Sequence, residues 1–266
     1  MPPDCYGPFV DTGCDQLLAD VDGDGVATIT FANPAKHNAM TGDMLAALAR
    51  TSAALSADPA VRVVVVRGAG ETAFVSGADL SQLGDGIHAP DPDRDPNRAG
   101  QGLAGGDTPV IAMIHGWCLG GGVAVALSAD IRLCADDAVF GIPAAKLGVG
   151  YPAEAIATLV ALVGPGQAAE ILLGGRRLDA TEAARIGLVN RVVPKAELEA
   201  VTYDLAREIA GNAPLSHAAH RRAIRAAVTG DSTGVAEAIA AAWASEDFRE
   251  GGRAMAEKRP PVFRGH

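Results

Sequence analysis

"PVIAMIHGWCLGGGVAVALSAD", residues 109 to 130, runs from a β-branched apolar segment through three consecutive glycines into a second segment of small apolar residues. That order predicts a strand over 109–116, a turn, and a helix led by the glycines and ending near Ala129. Main-chain N–H groups at a helix entrance have no acceptor inside the helix, and glycine leaves them uncovered. No Lys, Ser or Thr follows the run as in a nucleotide-binding loop, and no acid lies within it. A second strand-to-helix turn of small residues, Ser76-Gly77-Ala78-Asp79, stands in "FVSGADL" at 74 to 80. Each turn alone reads as tight turning or close helix packing. Two of them in consecutive strand–turn–helix units admit another reading, a facing pair of N–H donors suited to a small, transient negative charge.

The surrounding pattern is α/β. "LLADVDGDGVATITF", from Leu17 to Phe31, places apolar stretches around Asp-Gly pairs and predicts a hairpin. The acids of "DVDGDG" fall at calcium-loop spacing, but the twelfth place is Phe31 where a bidentate Glu is needed, so the hairpin is preferred. "NPAKHNAM" reads as a loop, Asp43 to Leu55 as a helix, and "VRVVVVRG" at 61–68 as a strand buried on both faces. "IRLCAD" at 131–136 is a further strand. Residues 84–102, rich in Gly, Pro and Asp, predict a lid, pocket wall or insertion. Beyond Tyr151 the chain reads as helices near 153–163, 165–173, 180–187, 195–211, 214–229, 234–244 and 249–257, interrupted by one strand, "LVNRVV". The expected division is a core of 1–199 followed by a helical oligomerisation region of 200–266.

Bulk properties narrow the function. The 266 residues carry 22 basic and 32 acidic side chains, a net charge of −10, which argues against nucleic acid. The sequence begins without the basic-then-apolar order of a signal peptide and offers no uninterrupted apolar run of roughly 20 residues. The expectation is a cytoplasmic protein with no membrane contact. Cys5, Cys14, Cys118 and Cys134 lack CxxC spacing, so reduced thiols and no metal are expected. Cys118, beside the glycines, reads as a buried small residue rather than a nucleophile.

"FVSGADL", "IHGWCLGGG", "ADIRLCADDAVFGIPAAKLGVG", "GLVNRVVP" and "EDFREGGRAMAEKRPPVF" together resemble the enoyl-CoA hydratase/isomerase, or crotonase, family from about Leu17 to the C-terminus. The resemblance implies an α/β spiral of ββα repeats with a C-terminal helical trimerisation region, assembled as a homotrimer or as a hexamer of two trimers. It implies an acyl-CoA thioester substrate, with coenzyme A as part of the substrate and no tightly bound cofactor. By the same resemblance the amides of Ala78 and Gly121 bond the thioester oxygen and stabilise an enolate. Ser76, Asp79 and Leu80 lie against coenzyme A, Lys36 lies near its phosphates, and Lys258 reaches its nucleotide end from a neighbouring subunit. Read as residues alone, either lysine is equally a solvated surface charge.

The chain departs from that family at two places. Hydratases of the family carry glutamates where this chain has Ala124, in "GGGVA", and Ala144, in "FGIPA". A methyl group accepts no proton, so two-acid hydration loses both catalysts, a contribution of roughly 10²–10⁴-fold. Tyr151, in "PAAKLGVGY", resembles the pocket tyrosine of methylmalonyl-CoA decarboxylases, whose chemistry needs an oxyanion hole but no general base. Those enzymes carry a His where this chain has Ala78. Tyr151 is therefore read as catalytic or as a pocket wall with its hydroxyl bonded to backbone. Glu154 could reach the pocket, as an acid from this helix does in dienoyl-CoA isomerases, in a register offset by two; the simpler account is a favourable first-turn acid. Among the histidines, His37 and His88 lie near candidate loops, and His115 reads as a satisfied core residue.

Overall fold

The computed structural model describes residues 9–79, 81 and 100–266. Among these residues eleven strands form two sheets. In chain order they are β1 (Phe9–Val10), β2 (Leu17–Val21), β3 (Val26–Phe31), β4 (Val63–Gly68), β5 (Ala73–Val75), β6 (Val110–Ile114), β7 (Trp117–Leu119), β8 (Ile131–Ala135), β9 (Val139–Gly141), β10 (Arg177–Asp179) and β11 (Arg191–Val193). The first sheet has the order β1-β2-β3-β4-β6-β8-β11 and the second β10-β9-β7-β5. The helices are α1 (Gly42–Ala57), α2 (Gln101–Gly105), α3 (Gly121–Ser128), α4 (Ala144–Leu147), α5 (Ala153–Gly174), α6 (Ala180–Arg185), α7 (Leu198–Ala210), α8 (Pro214–Thr229), α9 (Val235–Ala244) and α10 (Glu246–Glu257).

The repeat is legible in the pairing. β4, β6 and β8 lie parallel in the first sheet, and each is followed at once by a strand of the second, β5, β7 and β9, also parallel to one another. A helix then returns the chain, as parallel neighbours require. The predicted hairpin is β2–β3, antiparallel with Leu17 opposite Phe31. Asp22 Oδ1 accepts from the amides of Asp24 and Val26, both at 2.9 Å, which fixes the Asp-Gly turn.

Strand periodicity divides the core. Val63 and Val65 of β4, with Val26, Ile111, Met113 and Leu133, face α7 through Leu198, Ala206 and Ala210. Val64 and Val66 face the other way, toward the second sheet and helices α1, α3 and α5. Both faces of β4 are covered, which is why its sequence is four valines without polar alternation. The boundary expected at 199/200 falls inside α7.

Several elements differ from expectation. β1, β7, β9 and β10 are not among the expected strands, whereas the two helices expected over 153–173 are present: α5 consists of two helical segments that meet at Gly164, whose φ of 76° and ψ of 161° are non-helical ahead of Pro165. By length and hydropathy this 22-residue α5 could cross a membrane. Here it contributes Ala155, Leu159, Ala168 and Ile171 to the core. Exposed apolar side chains gather in the C-terminal helices, with Trp243 packed edge-on against Phe248 and Met255 83% exposed.

Asp20 is a buried acid between β1 and β3, and burial, reinforced by Asp22 and opposed by Arg67, pushes its pKa up to about 6. A carboxyl whose folded pKa exceeds its unfolded one holds its proton more tightly when folded, so its stabilising contribution is complete in acid and is lost as pH rises through about 6. Asp20→Asn is expected to raise unfolding free energy at pH 7.5 by about 1–2 kcal/mol, the shift being reduced for solvent screening. The gain should shrink several-fold near about pH 4, where the folded carboxyl is protonated and the unfolded one is about half protonated. Urea melts of both proteins at the two pH values check it; an equal gain at each pH would exclude ionisation as the cause.

Candidate functional site

Three segments meet at the site: the loop 32–41, the turn after β5, and the turn from β7 into α3. Buried Asn38 pins the loop, donating through Nδ2 to the carbonyls of Ala69 (2.9 Å) and Ala73 (2.8 Å) while Oδ1 accepts from Asn33 N (3.0 Å). The pinned loop pairs with the first turn: Met40 N donates to Gly77 O and Asp79 N donates to Met40 O, both at 2.8 Å. Ala78, between them, points its amide away from this ladder.

On the opposite side Gly120 has φ 50° and ψ −117°, a conformation that strains any side chain, and its amide donates to Gly141 O at 2.8 Å. Its carbonyl accepts from Val123 N at 2.9 Å and Ala124 N at 3.3 Å. The next amide, Gly121 N–H, opens α3. Among the described residues neither Gly121 N–H nor Ala78 N–H has an acceptor, and both residues are half-buried. A Cβ placed on Gly121 would stand 3.7 Å from Ala78 N and 2.5 Å from Met40 Cε, so the two amides border one gap. A Cβ on Gly122 would overlap the carbonyl oxygen of Val75. The glycine run thus has three separate causes: a turn at 120, an open gap at 121, and contact between helix and strand at 122.

Lys36, in the short 3-10 turn Pro34–Lys36, donates to Asp79 Oδ2 at 2.7 Å and to Ser81 Oγ at 3.3 Å. Hydrogen bonds from Lys36 first, then Ser81, hold the Asp79 carboxyl below the ordinary carboxylate range. Ser76 N donates to His37 O at 3.1 Å, and Ser76 Oγ to Lys36 O at 3.2 Å. The structure therefore brings Lys36, Ser76, Ala78, Asp79 and Gly121 together. Tyr151 joins them through Gly120: its hydroxyl donates to Gly120 O at 2.9 Å, and burial raises its pKa well above the phenol range. Leu80 and His88 lie outside the described residues. Lys258 ends α10, exposed and with φ 55°, and no hydrogen bond links it to the others.

Ala124 is buried one turn into α3, and Ala144 packs against the same core. Beside Ala124 a half-open cavity runs between α2, α3 and the start of α5, bordered by Gln101, Leu127, Ser128, Glu154 and Thr158. Its α2 wall is held from α8. Arg221 donates to Gly106 O (2.5 Å) and Leu103 O (3.2 Å) and pairs with Asp130 at 2.8 Å. Arg225 donates to the carbonyls of Ala104 and Gly106, and Arg222 pairs with both oxygens of Asp107.

Other candidates are quieter. Cys118 and Cys134 are buried thiols, and burial raises the Cys118 pKa strongly and pushes that of Cys134 up to about 12. His115 is buried, and burial lowers its pKa, but its Nε2 has no hydrogen-bond partner among the described residues, unlike the satisfied core histidine expected. Sequence reasoning missed Asn38 and Met40, which shape the gap. An Asn and a Met in an unpatterned loop give no periodic signal.

The layered spiral and the converging turns define a fold class, and comparison with known proteins identifies it. The enoyl-CoA hydratase/isomerase family profile matches residues 22–266. Relatives include the carnitinyl-CoA dehydratase of Salmonella typhi, 36% identical over 256 residues (90% of this chain, 95% of the relative). That of Escherichia coli strain K12 is 39% identical over 222 residues (78% and 83%). Among solved structures, an enoyl-CoA hydratase/carnithine racemase from Magnetospirillum magneticum superimposes with a TM-score of 0.85 at 35% identity, covering 95% of this chain and 97% of that one. An enoyl-CoA hydratase from Bacillus anthracis gives 0.85 at 29% identity, with 95% and 100% covered. The chain belongs to the enoyl-CoA hydratase/isomerase, or crotonase, family.

The glycine contacts separate two substitutions. Gly122→Ala meets backbone and is expected to cost about 1–3 kcal/mol or more, whereas Gly121→Ala meets the free end of Met40 and costs less. Thermal unfolding of the two variants checks the order; equal losses would show that the Val75 contact yields as readily as a methionine tip.

Proposed function

We propose that this protein transforms acyl-CoA thioesters by stabilising an enolate on the amides of Ala78 and Gly121. What carries the reading is that two amides, donated by separate turns and lacking acceptors among the described residues, border one gap. An enolate forms when charge moves from the α-carbon onto the thioester oxygen. Neutral donors suit this step because their attraction grows with that charge, each typically adding about 3 kcal/mol in the transition state. Gly120, fixed by Gly141 and Tyr151, lets the Gly121 amide hold its direction without reorganisation.

The neighbouring residues suit coenzyme A, bound as part of the substrate. Lys36, 54% exposed, can keep its pairing with Asp79 while presenting its ammonium to a phosphate. Ser76 and Asp79 belong to the same turn as Ala78, and Leu80 is the next residue in the sequence. Lys258, exposed at the end of α10, is assigned to the nucleotide end of a coenzyme A held by an adjacent subunit. That assignment needs a homotrimer or hexamer, for which the exposed Trp243, Phe248 and Met255 supply apolar contact surface.

A second reading, loss of CO2 from a malonyl-type thioester, draws on Tyr151, whose hydroxyl lies beside the Gly120–Gly121 peptide while positions 124 and 144 carry no carboxyl. Decarboxylation leaves its electron pair on the α-carbon without any base. A protein that binds acyl-CoA without turnover is the remaining alternative.

Gly121→Pro deletes one donor at a first helical position, where proline is tolerated. It is expected to lower turnover by about 10²–10³-fold with circular dichroism unchanged. The assay follows crotonyl-CoA and methylmalonyl-CoA separately by mass, with thermal shifts to score binding. Undiminished turnover in the folded variant would refute the amide's role. CO2 loss that disappears in Tyr151→Phe selects the second reading, and stabilisation without turnover selects the binding protein.

A further inference from the structure

We infer that Met40 is a positioning residue of this site, a strut that sets the separation of the two amide donors. The inference rests on the acyl-CoA reading above and names the side chain that keeps Ala78 and Gly121 at the spacing one oxygen requires.

Met40 is tied to the first turn by its main chain. Its amide donates to Gly77 O and its carbonyl accepts from Asp79 N, both at 2.8 Å, and the residue is bridged in parallel to Ala78. Its side chain reaches the second turn. A Cβ built on Gly121 would stand 2.5 Å from Met40 Cε, 3.7 Å from Ala78 N and 3.8 Å from the carbonyl carbon of Gly77. The thioether tip therefore overlaps the place that a side chain at 121 would take, a place that also borders the Gly77–Ala78 peptide. One residue touches both turns.

The strut is anchored on either side along the chain. Two residues earlier, fully buried Asn38 bonds the carbonyls of Ala69 and Ala73, and one residue later Thr41 caps α1 by accepting from Met44 N at 3.2 Å. The Met40 side chain is 2% exposed and belongs to the same buried cluster as Met44, Val75 and Val123. The Gly122–Val75 contact fixes the approach of α3 to β5, and Met40 fills what that approach leaves open at Gly121.

Length is what such a strut supplies. N–H···O bonds span about 2.7–3.2 Å, and donors converging on one atom have to be held to within about 0.5 Å. Methionine is unbranched and ends in a single methyl, where leucine stops one atom short. Removing that methyl lets the turns close toward each other, and adding one at 121 pushes the tip aside. Either change alters the separation of the donors while both N–H groups remain.

The full chain is loaded with butyryl-CoA carrying 13C at the thioester carbonyl, and the carbonyl stretch is read by isotope-edited infrared difference spectroscopy, which measures donor strength without turnover. The wild type is expected to lower the stretch relative to the free thioester. Met40→Leu and Gly121→Ala should each lose at least about half of that lowering, with butyryl-CoA still raising the melting temperature. The double variant returns at 121 the methyl removed from 40, and should recover most of the lowering. Met113→Leu, which alters a buried methionine on the α7 side of the first sheet, should keep all of it. Full lowering in either folded single variant, equal loss in Met113→Leu, or a double variant no better than the singles overturns the strut and leaves the acyl-CoA site standing. No lowering in a wild-type protein that binds butyryl-CoA overturns the amide pair and the strut with it. Failure of butyryl-CoA, crotonyl-CoA and free coenzyme A alike to stabilise the protein overturns the acyl-CoA reading itself.

Discussion

The contact between the entrance of α3 and the end of β5 governs the rest of the molecule. With no side chain at Gly122, the helix backbone seats against the Val75 carbonyl, and the turn carrying Ala78 is brought beside the turn carrying Gly121. A single methyl at that contact would separate them. Each repeat of the spiral sends one strand to each sheet, so consecutive repeats inevitably place their turns side by side. The fold supplies adjacency, and the glycines convert it into convergence.

Around this contact the structure divides its labour. Apolar packing on both faces of β4 gives rigidity, while the polar bonds of Asn38, Met40 and Gly120 set the direction of individual amides. Unpartnered amides at such a place are expensive in a core, where buried N–H groups are almost always bonded. Here they face a half-buried gap, and a ligand oxygen would complete them.

Much of this was legible from residue order. The valine run, the Asp-Gly hairpin and the helical periodicity after Tyr151 each carry a signal longer than one turn or one strand. β7, β9 and β10 escaped because three residues are too few to display alternation, and β7 is embedded in the glycine-bearing stretch. The division of 153–173 into two helices was signalled by Gly164-Pro165, where the backbone leaves helical geometry before α5 resumes. In the site, the two turns could be read from their small residues. The bond from Tyr151 to Gly120 could not, because it joins residues 31 apart through a carbonyl that any amino acid possesses. Met40 was equally silent, since its contribution is the shape of a methionine tip.

The three arginines on α8 carry a consequence for synthesis. Residues 101–107 form one wall of the cavity, yet the groups that hold their carbonyls and Asp107 come from positions 221, 222 and 225. A nascent chain can complete both sheets and the paired turns well before that helix leaves the ribosome, where chains emerge in order and N-terminal parts fold first. The wall at 101–107 acquires the arginines that hold it only once α8 has emerged, so premature termination inside α8 would leave those carbonyls and Asp107 without their donors.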